Sequence, residues 1–134
     1  MSANAVVMEA ARGLVGTRFR LHGRDPAFGL DCVGLIRAAF ATAGVMIAAP
    51  SGYRLTSGRL DEFERVAVLA GLMMTADPEP GDAILFRIGA RQWHLGIKSD
   101  TGLIHADAGL GRVVERPGPM PWPVTACWRC PDQD

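Results

Sequence analysis

The 134-residue sequence is poor in lysine, cysteine, histidine and net charge. Lys98 is the only lysine among 14 basic residues, so arginine, with its bidentate fork, supplies nearly all the positive charge. The formal net charge of zero argues against a nucleic-acid binder, which carries a basic patch or stripe. No stretch approaches the roughly 18–20 apolar residues of a membrane span. Met1 to Gly16 has no basic leading segment, and Glu9 and Arg12 interrupt its apolar run. No signal peptide is therefore expected, and the chain is expected to be made in the cytoplasm. The three cysteines, Cys32, Cys127 and Cys130, are an odd number with two close together, which is not a secreted disulfide framework. Cys127 and Cys130 have the spacing of half a zinc site, but a tetrahedral site takes about four ligands and there is no second cysteine pair. In a strand they face opposite sides, and the plainer reading is two small core or rim thiols. Internal repeats and low-complexity segments are also lacking.

What the chain does have is a globular composition, 49% hydrophobic and 21% charged, at a length that fits one compact domain over residues 1–134. The apolar positions Val6, Val7, Ala10, Ala11, Leu14 and Val15 repeat at helical spacing from about Ala3, with Gly16 as a stop. A polar, turn-rich stretch from Thr17 to Pro26 follows. A second helix runs from Cys32 to near Gly44, Met46 to Thr56 reads as a loop, and a third helix spans about Arg59 to Met73. After the turn at Asp77–Asp82 the period becomes that of strands: Ala83–Ile88, Trp93–Lys98, Leu103–Asp107, Arg112–Glu115 and, past a proline-rich crossing at Pro117–Pro123, Val124–Arg129. Helices first and an antiparallel sheet second is α+β order.

Chemistry concentrates first at Phe28-Gly29-Leu30-Asp31-Cys32-Val33-Gly34-Leu35-Ile36. Asp31 is placed to cap a helix whose apolar stripe, Leu35, Ile36, Ala39, Phe40 and Ala43, includes Cys32. The thiol then points into the body of the protein at the positive end of the helix dipole. The dipole and a nearby imidazolium lower a thiol pKa, so Cys32 is expected to alkylate at mildly acidic pH, before Cys127 and Cys130. Gly34 leaves room beside the sulfur for another backbone or a substrate. The plainer reading of Cys32 alone is a small buried residue that starts an amphipathic helix.

Two histidines give that thiol a possible base. Strand alternation puts His94, Gly96 and Lys98 on one face, and Leu103, His105 and Asp107 on one face of the next strand. A two-residue hairpin loop sets His94 and His105 side by side, as direct or diagonal neighbours; a three-residue loop sets them on opposite faces. Side by side, one serves as general base and the other fixes its tautomer. Cysteine at a helix start, histidine on a strand and a polar partner on the next strand are the parts of a thiol hydrolase triad. The same residue types, two histidines and a cysteine, also suit zinc with an open position, although no further ligand at helical spacing supports it.

Four motifs now carry a resemblance. Asp31-Cys32-Val33-Gly34-Leu35-Ile36 resembles the Asp-Cys-Ser-Gly-Leu-Val motif of the NlpC-type cell-wall peptidases, which are papain-like enzymes. Glu79 to Phe86 resembles their Pro-Gly-Asp strand start, Trp93 to Ile97 their His-Val-Gly-Ile strand, and Leu103 to Ala106 their third motif. The short form, with Gly16 to Gly23 ahead of the cysteine, is similar to peptidases of phage and gene transfer agent tail modules. The resemblance implies a papain-like α+β fold with N-terminal helices on a central antiparallel sheet. It implies Cys32 as nucleophile, His94 as base and His105 as orienting residue, with no metal or other cofactor. The implied substrate is a peptidoglycan stem peptide, and the implied partners are tail-tip or hub proteins of a phage-like particle, with action at the periplasmic cell wall. Asp31, Phe19, His22 and the Cys32 backbone fall at the implied oxyanion and substrate region. Phe19 stands where the family often has tyrosine, and His22 offers a substitute donor. Two other roles fit the same residues: a silent structural tail-tip component, or an amidase or transacylase with the same triad.

Overall fold

The computed structural model describes residues 1–48, 60–90 and 92–131. Helix α1 (Ala3–Gly13) is capped by the Ser2 hydroxyl, which accepts from the Ala5 N–H at 3.1 Å, and buries Val7 and Ala11. The expected stripe runs too far at its end, for Val15 lies beyond the helix and is exposed. The turn-rich stretch contains a short antiparallel hairpin, β1 (Arg24–Asp25) and β2 (Gly29–Leu30), which sequence periodicity is too short to reveal. Helix α2 (Cys32–Ala41) follows directly. It is buried on more than one stripe, since Cys32, Val33, Gly34, Leu35 and Ile36 are all covered. Its N-terminal half lies between the hairpin, α1 and the sheet, so it has little solvent face there.

Helix α3 (Leu60–Leu69) is shorter than expected. Gly71, at φ +81°, ends it: the Leu72 N–H donates to the Ala67 carbonyl and the Gly71 N–H to the Val68 carbonyl. Glycine takes this left-handed position without steric cost. The released chain turns into an edge strand, β3 (Met73–Thr75), which no strand reading anticipated and which begins at the last residue of the expected helix. The expected loop at Met46–Thr56 lies largely outside the described residues.

The strands β4 (Ala83–Gly89), β5 (Gln92–Lys98), β6 (Gly102–Asp107), β7 (Arg112–Pro117) and β8 (Val124–Arg129) join β3 in a six-stranded antiparallel sheet of order β3-β8-β4-β5-β6-β7. The α+β order read from sequence holds. One sheet face, with Ala83, Leu85, Leu95, Ile97, Ile104, Ala106 and Val113, packs on the helices to form the main core, and Cys32 belongs to it. The other face holds a smaller cluster of Ile84, Phe86, Leu103 and Cys127, covered by Ile88, Met120 and Trp122. Cys127 and Cys130 are free, buried and in different clusters, as the core reading requires.

The two halves are tied by Asp82, which is fully buried at the start of β4. Its carboxylate accepts from Asn4 on α1 (2.8 Å), from the Glu79 N–H (2.7 Å) and from Arg129 on β8 through two nitrogens, at 2.9 and 2.8 Å. Gly81 before it allows the close approach, because a Cβ there would meet the Asn4 carbonyl oxygen at 2.2 Å.

Candidate active site

Asp31 builds the start of α2. Its Oδ1 accepts from the Gly34 N–H (2.9 Å) and from Arg24 (2.7 Å), and its Oδ2 accepts from the His22 N–H (2.9 Å). A buried carboxylate is stable only with such partners. It fixes three segments at once: the helix, the hairpin and His22, which sits in the left-handed region at φ 61°. Gly34 makes the junction possible, since a Cβ there would lie 2.1 Å from the Gly23 carbonyl oxygen. The room that Gly34 leaves is filled by backbone.

The β5–β6 hairpin has the two-residue loop. Lys98 pairs with Leu103, Ile97 with Ile104, and the Ser99 N–H donates to the Gly102 carbonyl. His94, opposite Phe86, and His105, beside Leu103 in alternation, therefore share the sheet face away from the helices. His94 Nε2 and His105 Nδ1 are 2.9 Å apart, with the rings at 89°. The ladder between β5 and β6 consists of those two pairs. Toward Trp93 on one strand and Asp107 on the other lies a cleft of about 580 Å³. Cys32, from the opposite face, lines it together with both histidines. So do Asp31, Phe19 and His22, and all the sequence-selected residues meet at one place. Its volume falls in the range of small-ligand sites.

The protonation states differ from the sequence expectation. Burial pushes the Cys32 thiol up to about 12; the Asp31 charge adds to this, while N–H groups of Leu95 and Val33 and the Arg24 charge oppose it. The thiol is only 2% exposed, and desolvation of the thiolate outweighs the helix start. Burial likewise lowers His94 to about 4, helped by His105 and opposed by Asp107. His105 is also lowered by burial, against Asp107. Burial thus favours the neutral thiol and the neutral imidazole. It works against the easily alkylated resting thiolate expected from sequence.

The histidine bond restricts the tautomers. If His94 Nδ1 is to accept a proton, His94 carries its own proton on Nε2 and donates it to His105 Nδ1, and His105 is protonated on Nε2. Arg24 keeps two buried nitrogens, Nε and Nη2, without hydrogen-bond partners among the described residues. Among the described residues no group of three histidine, cysteine or acidic side chains is placed to hold a metal ion, and no helix is long and apolar enough to cross a membrane.

Sequence reasoning missed Trp122. Its ring lies edge-on to His94 (5.3 Å between centroids) and His105 (5.5 Å), and it lines the same cleft. Its only signal was an aromatic between two prolines in a segment read as a surface crossing.

Comparison with known proteins places this geometry. The model of the NlpC/P60 family matches residues 16–120. No curated protein sequence matches the chain. Among solved structures, NlpC1 from Trichomonas vaginalis is 20% identical with a TM-score of 0.68, over 96% of this chain and 45% of that one. The peptidoglycan hydrolase RipB from Mycobacterium tuberculosis is 26% identical with a TM-score of 0.58, over 94% of this chain and 63% of that one. RipD from the same organism, described as a non-catalytic NlpC/P60 domain protein adapted to peptidoglycan binding, is 17% identical with a TM-score of 0.59, over 96% of each chain. The chain thus spans less than half the length of the first of these and under two thirds of the second.

Proposed function

The chain belongs to the NlpC/P60 family, and on that premise we propose that it is a thiol endopeptidase acting on amide bonds of peptidoglycan stem peptides. The observation that carries the reading is the 2.9 Å bond between His94 and His105 in the cleft that Cys32 lines. That bond leaves His94 Nδ1 as the free ring nitrogen.

In the proposed reaction the resting pair is uncharged, so proton transfer accompanies attack. His94 Nδ1 takes the thiol proton as the Cys32 sulfur bonds to the carbonyl carbon. The Cys32 N–H, at a helix start where no intrahelical acceptor exists, donates to the developing oxyanion. His94 then passes its proton to the leaving amine as the C–N bond breaks. Water, deprotonated by His94, attacks the thioester; the C–S bond breaks and the sulfur regains a proton. His105 accepts from His94 Nε2 throughout and stabilises the transient imidazolium.

The similarity of Gly16 to Gly23 to tail-module peptidases supports a further step: the chain is carried on a phage-like or gene transfer agent tail, as one domain among tail-tip or hub proteins, and opens the periplasmic wall. Mass spectrometry of purified particles tests this, and a chain absent from them refutes it.

Phe19 favours a second reading. It lines the cleft but has no hydroxyl to donate, and RipD is a family member without catalysis. A silent tail-tip component would keep the fold and release nothing. Incubation with purified sacculi decides between them: the peptidase releases muropeptides whose new termini identify the bond, whereas the scaffold leaves sacculi unchanged.

A further inference from the structure

The proline-rich crossing places Trp122 against three rings: Phe86 at 5.5 Å, His94 at 5.3 Å and His105 at 5.5 Å, all at steep interplanar angles of 67–88°. Edge-to-face contact of this kind orients as well as attracts. Pro121 and Pro123 flank the tryptophan and restrict the backbone on both sides. The Arg87 N–H donates to the Pro123 carbonyl, which fastens the crossing to β4. Phe86 is itself fully buried and directly opposite His94 on the neighbouring strand. Trp122 thus rests on an immobile ring and contacts both partners of the histidine bond.

We propose that Trp122 is a positioning residue of the histidine pair: its ring holds His94 and His105 in their perpendicular arrangement and keeps water from their shared hydrogen bond. A bond between two neutral imidazoles competes poorly with water when exposed, and excluding water strengthens it. The main chain holds the two positions, His94 by pairing with Phe86 on β4 and His105 by pairing with Val114 on β7. The described β5–β6 ladder of Ile97–Ile104 and Lys98–Leu103 does not reach between them, so pairing sets the backbones and not the ring orientations. The ring orientations are left to side-chain packing, and Trp122 packs against both rings.

Among the described residues the charged and titratable groups around the pair are few. Asp107 on β6 favours the protonated rings, and Arg116 on β7 opposes protonation of His105. From the α2 side, the cleft wall presents the Cys32 thiol and Asp31, the latter paired with Arg24, and the stretch before α2 presents His22. Trp122 contributes no charge, so its effect on the histidines acts through water exclusion and ring placement. The consequence for catalysis rests on the peptidase reading, but the placement itself does not.

The test follows the imidazole nitrogens of the 15N-labelled full chain by NMR as pH is lowered, in wild type, Trp122→Phe and Trp122→Ala. In wild type, His94 titrates far below an ordinary histidine and the N–H shared with His105 exchanges slowly with water. In Trp122→Ala, the His94 midpoint rises by roughly one unit or more, as rehydration demands, and the slow N–H is lost. Trp122→Phe, which keeps an aromatic edge, stays within about half of that shift. If Trp122→Ala does not fold, Trp122→Leu decides, since it keeps apolar bulk without a ring: the slow N–H is lost there too. An unchanged midpoint and a retained N–H in the folded ring-free variant overturn the proposal. These spectra need no turnover. A chain that releases no muropeptides but shows the shifts refutes the peptidase reading alone, and an active enzyme with unshifted histidines refutes the role of Trp122 alone.

Discussion

At the scale of single residues, the protons on Cys32 and His94 govern how the site is observed. With the thiol held near 12 by burial, the substrate-free protein exposes almost no thiolate at neutral pH. Iodoacetamide at pH 6 should therefore label Cys32 no faster than Cys130, which burial holds near 11; peptide mass spectrometry reads the rates, and preferential labelling of Cys32 would show a resting ion pair instead. The base must be neutral to accept a proton. Muropeptide release should accordingly persist through mildly acidic pH and fall off only as pH drops through about 4, where His94 protonates. A decline centred near 6.5 would place the base in a wet environment. Cys32→Ala should abolish release. His94→Ala should do nearly the same, because members of such a unit do not contribute additively. His105→Ala should be milder, since His105 touches the base and not the bond being cut. If the oxyanion site is short of a donor, Phe19→Tyr should raise turnover, up to roughly 10²-fold; an unchanged rate would show that other donors suffice.

At the scale of elements, joints between segments matter more than the segments. Gly34→Ala would drive a methyl group into the Gly23 carbonyl, a backbone atom with no rotamer to yield. Overpacking of this kind costs about 1–3 kcal/mol or more, and urea denaturation should show at least that loss. Asp82→Ala removes the acceptor of two Arg129 nitrogens, Asn4 and the Glu79 N–H. Breaking a buried pair costs about 3–5 kcal/mol, and the partial exposure of Arg129 places this case at the lower end. A loss below about 1 kcal/mol would mean that water replaces the carboxylate at little cost.

Legibility in the sequence divides along the same lines. Local rules identified the Asp31 cap, the change of period at Asp77–Asp82 and the core strands, because each follows from neighbours a few residues away. The side-by-side histidines followed from one loop length, and the structure has that loop. The missed features depend on distant partners. Met73–Thr75 pairs with β8 more than fifty residues later, and its apolar composition fits a helix equally well. The desolvation that opposes a Cys32 thiolate was not legible either, because it depends on what the sheet and the hairpin lay over Cys32. Trp122 lies 28 residues past His94 and 17 past His105 in the chain, and no spacing rule links it to either.

At the scale of the whole molecule, the depressed histidines link folding to pH. An unfolded histidine protonates near 6.5, whereas folded His94 does so only near 4. As pH falls below about 6.5 the unfolded chain takes up a proton that the native protein refuses. Stability is therefore full above about 6.5 and declines toward 4, by about 3 kcal/mol at most for His94. Glu115, held near 2 by Arg12, adds a second loss between its ordinary 4.5 and about 2. Thermal unfolding from pH 8 to pH 3 should show a plateau and then a fall that begins before any carboxylate protonates. A melting temperature flat down to pH 5 would contradict the buried histidines.

Cys32 and His94 come from opposite faces of one sheet and line one cleft where the β5–β6 ladder ends. No single layer contains the cleft: the helices bring sulfur and the far face brings imidazole. The cleft thus exists only after both layers have closed. In pulse-alkylation during refolding, protection of Cys32 and the slow N–H between the histidines should appear together, after the sheet hydrogen bonds have formed. A chain with only one layer in place does not yet hold the thiol and the imidazoles in one cleft.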